Sequence, residues 1–64
     1  MGTTIAKIYD IVTEKKGYEG RLQFAQQTGV SKNKAMKIKD SDENIRKFKQ
    51  AAAEFIGESI DNLL

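Results

Sequence analysis

Apolar residues along this chain fall into short stripes at helical spacing rather than into alternating runs. In "TTIAKIYDIVTEKKG", Ile5, Ile8, Tyr9 and Val12 stand three, one and three residues apart, which places them on one helix face. Thr3 or Thr4 can cap the start, Lys15 and Lys16 suit the negative end, and Gly17 follows as a stop. "YEG" then predicts a turn, and "RLQFAQQT", Arg21–Thr28, a second helix with Leu22, Phe24, Ala25 and Thr28 inward. Gly29 predicts a positive φ and a sharp change of direction. Val30 is expected to plug the angle between two helices, and Ser31 to cap a third helix reaching about Lys39. Asp40 and Glu43 have capping-box spacing before a fourth helix. Its Ile45, Phe48, Ala52 and Phe55 form a stripe spaced three, four and three, and Gly57 ends it. Ser59 can cap a last turn that carries Ile60, Leu63 and Leu64. The pattern predicts an all-α chain of five short helices, packed as a compact bundle and a single domain over residues 1–64.

Composition narrows the chemistry. With 64 residues and no cysteine, the core rests on apolar side chains alone, without disulfide or thiolate metal site. A domain of this size buries only about 60% of its unfolded surface, so its stability is small. Histidine is absent too, which removes the commonest metal ligand and general base. Acidic candidates Asp40, Asp42 and Glu43 sit in a capping segment, where helix-start electrostatics already explains them. No enzyme, metal, cofactor or small-molecule substrate is therefore expected. No apolar run approaches the roughly 18 residues that span a membrane, and the N-terminus lacks a signal-type apolar core. Gly2 suits myristoylation, but Ala6 stands where that motif takes Ser or Thr. A cytoplasmic protein is expected. Charge is divided: residues 1–39 hold eight Lys/Arg against three Asp/Glu, and residues 40–64 hold three against six. Such asymmetry predicts one face for a polyanion and one turned away from it.

The joint between the second and third predicted helices is the most informative. Two eight-residue helices about a glycine-centred turn form a helix-turn-helix pattern. Around a wheel for residues 31–39, Ala35 and Ile38 define the buried direction. Asn33 and Lys37 then point away from it with Met36 beside them, and Lys32, Lys34 and Lys39 lie on the flanks. Asn can pair with adenine, Lys can reach guanine, flanking lysines can reach phosphates, and a methionine can touch a thymine methyl.

"LQFAQQTGVSKNKAMKIKD" resembles the helix-turn-helix of the Cro/phage-repressor (lambda-repressor-like, XRE) family. "FKQAAAEFIGESIDNLL" is similar to that family's closing helix and tail. The resemblance spans about Arg21 to Leu64. It implies a five-helix bundle that binds operator DNA, commonly as a homodimer, with the third helix in the major groove. Carried over by position, Ser31, Lys32, Asn33, Met36 and Lys37 face bases or the adjacent backbone, and Arg21 and Gln23 sit by a phosphate. Thr28 departs from the family's large aliphatic residue, Ala35 from Ile or Val, and "DSD" lacks the customary glycine.

Two functions of different class follow. One is a small sequence-specific DNA-binding transcriptional regulator of the phage or prophage kind, with double-stranded DNA as partner. The other uses the same bundle as a protein-interaction module: an adaptor, an antitoxin-like partner or a phage inhibitor of a host protein. Its surface would be the acidic second half and the apolar tail. Single-stranded RNA is disfavoured, because Phe24, Phe48 and Phe55 fit the core rather than a stacking platform. Tyr18 is expected to pack between the first two helices.

Overall fold

The computed structural model describes residues 3–60. Among them are three helical elements and no strand: α1 (Thr3–Thr28), α2 (Lys32–Ala35) and α3 (Asp42–Ile56). Five helices were expected. The first two are one element, and of the expected fifth, residues 61–64, with Leu63 and Leu64, lie outside the described part.

Helix α1 has two arms that meet at Gly17, whose φ of 79° and ψ of −178° are not helical. The predicted stop is therefore correct, but the predicted turn at Tyr18–Gly20 is not: helical structure resumes at once and includes these residues. Gly20 explains how. A Cβ there would lie 2.3 Å from Lys16 Cβ, so only glycine lets the second arm begin so close to the end of the first. The first arm buries Ile5, Ile8, Tyr9 and Val12 completely, as their spacing predicts. The second buries Phe24, with Ala25 packed against the core. Leu22 was expected inward but is 46% exposed. Two residues along a helix are about 200° of rotation, so Phe24 and Leu22 cannot both face the core.

Helix α3 supplies the opposing wall with Phe48, Ala52 and Ile56, and Ile45 and Phe55 pack beside them. Gly57 closes it at φ 79°, its N–H donating to the Ala53 carbonyl at 2.9 Å. Its N-cap is Ser41, whose Oγ accepts from the Asn44 N–H at 3.2 Å; the expected Asp40–Glu43 capping box is one residue out of register. Asp40 instead accepts the Thr4 N–H at 3.2 Å. It thereby satisfies a first-turn donor of α1 that has no intrahelical acceptor.

Aromatic rings form the spine of the core. Tyr9 meets Phe24 edge to face with centroids 5.0 Å apart and lies 6.1 Å from Phe48; Phe24 lies 5.6 Å from Phe55. The Tyr9 hydroxyl donates to the Val30 carbonyl and meets Thr28 Oγ1 at 2.9 Å. Thr28 Oγ1 in turn accepts the Val30 N–H at 3.3 Å. One proton per hydroxyl is enough if Tyr9 donates to Val30 and Thr28 donates to Tyr9. Burial raises the Tyr9 pKa above its ordinary value, and the Thr28 hydrogen bond opposes that rise.

Removing this hydroxyl in Tyr9→Phe is expected to cost about 1–2 kcal/mol in urea unfolding. Because the folded phenol titrates above its unfolded value, its contribution is fully present below about pH 10 and is lost as pH rises through the raised value. Wild type should therefore show a component of alkaline destabilisation that Tyr9→Phe lacks. Gly20→Ala is expected to cost roughly 1–3 kcal/mol through steric conflict with Lys16, measured by thermal melting.

Candidate functional site

The turn after α1 is built from local rules. Gly29 takes φ 75°, and the Gly29 and Val30 N–H groups both donate to the Ala25 carbonyl, at 2.9 and 3.2 Å. Ser31 is extended at φ −75°, ψ 165° and caps α2, its Oγ accepting from the Lys34 N–H at 3.3 Å. These are the conformations predicted for Gly29 and Ser31.

Helix α2 ends at Ala35, four residues before the predicted Lys39. Beyond it the Lys37 N–H donates to the Lys34 carbonyl and the Ile38 N–H to the Ala35 carbonyl, at 3.0 and 3.2 Å. These three-residue hydrogen bonds tighten the chain out of the α-helix. Tertiary anchors account for the exit. Ala35 is fully buried, Ile38 packs on the core, the Asn44 side-chain amide donates to the Lys39 carbonyl at 3.0 Å, and Asp40 is held at the start of α1. A helical wheel therefore applies only as far as Met36, and the outward direction assigned to Lys37 and the flank assigned to Lys39 do not follow from it. Both side chains are nevertheless exposed.

An open groove of about 400 Å³ lies between the second arm of α1 and α2. Arg21, Ser31, Lys32, Asn33 and Met36, all singled out from the sequence, line it, together with Leu22 and Ala25. Lys34 lines a neighbouring groove with Gln26 and Gly29. Leu22, Ala25 and Ser31 border both. Gln23, Lys37 and Lys39 line neither, although Gln23 is exposed.

Two cations at this groove are already engaged. The Arg21 guanidinium lies 4.7 Å from the centre of the Tyr18 ring, a cation–π contact between residues three apart on one helix. Tyr18 is 60% exposed, so the expectation that it packs between two helices is corrected: it supports Arg21 from outside. Lys32 forms an ion pair with Asp10 on the first arm. The spacing of Asp10 gave no sign of this, because the pairing depends on how the first arm crosses α2.

Sequence reasoning also missed Leu22 as a surface residue. The available signal was its rotation from Phe24. Together with Met36, 52% exposed, it adds apolar surface to the groove lining. No carboxylate lines this groove or its neighbour. Among the described residues, no helix is long and apolar enough to cross a membrane.

No family model, curated protein or solved structure matches this chain.

The Asp10–Lys32 pair is solvent-exposed, with 59% and 32% of the side chains accessible. Exposed pairs contribute about 0–1 kcal/mol. Asp10→Asn is expected to shift folding stability by no more than that, measured by urea unfolding in parallel with wild type.

Proposed function

We propose that this protein is a small sequence-specific DNA-binding transcriptional regulator, with the segment from Ser31 to Met36 offered to the major groove and the adjoining helices gripping the backbone. The observation that carries this reading is the groove itself. It gathers Arg21, Ser31, Asn33 and Met36 on one open surface, with exposed Lys34, Lys37 and Lys39 following along the same segment. The amide of Asn33 can pair with adenine N6 and N7, and lysines and Arg21 can neutralise phosphates. The basic balance of residues 1–39 agrees with a polyanionic partner. In this reading α1's second arm and α2 act as a helix-turn-helix, as the resemblance to Cro and phage repressors implies. A homodimer on a two-fold operator and a cytoplasmic setting belong to the same proposal.

A second reading has its own support. Leu22 and Met36 are large apolar side chains exposed on one groove, with exposed Tyr18 beside Arg21 of the same lining, and such patches also mark protein-interaction surfaces. A protein-binding adaptor or inhibitor would use them without DNA.

Fluorescence anisotropy with a random duplex of about 20 base pairs separates the two. If about four phosphates are neutralised, affinity should fall on the order of a hundredfold between about 50 and about 200 mM salt. Lys34→Ala should weaken binding to every duplex alike and reduce the salt slope by about 1. Asn33→Ala should cost about 1–3 kcal/mol on a selected site and little on random DNA. Absence of duplex binding even at low salt would reject the DNA reading and favour a protein partner.

A further inference from the structure

Leu22 and Met36 approach the same groove from different elements, one from the second arm of α1 and the other from the C-cap of α2. Neither helps the core: they are 46% and 52% exposed. Single exposed apolar residues are ordinary, but this pair shares a concave surface with the Ala25 methyl, the Ser31 hydroxyl and the Asn33 amide. The lining thus mixes apolar side chains with groups that can form hydrogen bonds. Arg21 and Lys32 stand on the same lining; Lys32 is paired with Asp10, so Arg21 carries the positive charge that no carboxylate on this lining offsets. An occupant should therefore combine a small apolar group, a hydrogen-bonding edge and negative charge close by.

The major-groove edge of a thymine–adenine pair has this composition. It carries the thymine C5 methyl and O4 beside adenine N6 and N7, between phosphates. We infer that Leu22 and Met36 form a receptor for the thymine methyl group, next to an Asn33 amide that reads the paired adenine. The flexible, polarisable thioether of Met36 suits such a contact. A 5-methylcytosine offers the same methyl. Its paired guanine presents two acceptors, N7 and O6, whereas an asparagine amide matches the acceptor and donor of adenine. Thymine is therefore the assigned ligand. This inference rests on the DNA reading above and adds to it a discriminating contact from the helix that precedes the turn.

The test uses a duplex selected from a random pool by the full-length protein. Each thymine is replaced in turn by uracil, which removes only the methyl, and affinity is measured by anisotropy. Wild type is expected to lose about three- to fivefold at one or two thymines, the effect of one methyl leaving an apolar contact. The double variant Leu22→Ala, Met36→Ala should bind thymine and uracil duplexes alike, with an unchanged salt slope. Both residues are exposed, and a thermal melt verifies that the variant is folded. Equal wild-type affinity for thymine and uracil at every position overturns the methyl receptor while leaving the DNA reading intact. So does a uracil penalty that persists in the folded double variant, or a gain from cytosine methylation without any thymine effect. Failure to bind any duplex overturns both.

Discussion

A single buried phenol fixes the geometry on which everything else depends. Tyr9 lies in the first arm of α1, yet its hydroxyl is bonded at the turn that leaves the second arm, through the Val30 carbonyl and Thr28 Oγ1. A phenol placed this deep needs partners, because an unsatisfied buried hydroxyl costs about 1–3 kcal/mol. The turn after the second arm supplies them, as the Val30 carbonyl and Thr28 Oγ1. Its ring is packed edge to face on Phe24 and near Phe48, so the hydroxyl cannot shift without disturbing the aromatic spine. Thr28 is thereby explained. A large aliphatic residue at that position would fill space but would leave the phenol without its second partner.

From this anchor the surface follows by short steps. Val30 is pinned through its carbonyl, Ser31 follows it, and the Ser31 hydroxyl starts α2. An isolated single turn of helix does not persist in water. Here it is held at both ends, by Ser31 at the start and by buried Ala35 and half-buried Ile38 beyond. The exposed face between those anchors has little structural duty, so its residue types are open to recognition chemistry. Gly17 and Gly20 do the complementary work on α1. The first breaks the helix, and the second lets the next arm start against Lys16. Arg21 and Leu22 reach the groove rim as a result.

Charge near the groove is arranged rather than simply abundant. Arg21 is stacked on Tyr18 and Lys32 is paired with Asp10, whereas Lys34, Lys37 and Lys39 are exposed. Exposed ion pairs are weak and screened by salt, so a phosphate can compete with Asp10 for Lys32. In the proposed DNA reading, that exchange would favour a site rich enough in contacts to draw Lys32 away.

Sequence by itself determined the features that local rules govern. The stripe of Ile5, Ile8, Tyr9 and Val12, the α3 stripe through Phe48 and Ala52, the positive φ of Gly29, the helix end at Gly57 and the Ser31 cap all depend on residues within about one or two turns of each other. Tertiary structure alone decided the rest. Asp40 finds its partner 36 residues away at Thr4, and Lys32 finds Asp10 22 residues away. Periodicity cannot encode either pairing. The missing turn at Tyr18–Gly20 depends on the space beside Lys16, and the short α2 depends on anchors at Ile38, Lys39 and Asp40. Both are settled by which backbone groups the packed chain can satisfy, and only the assembled fold brings those groups together.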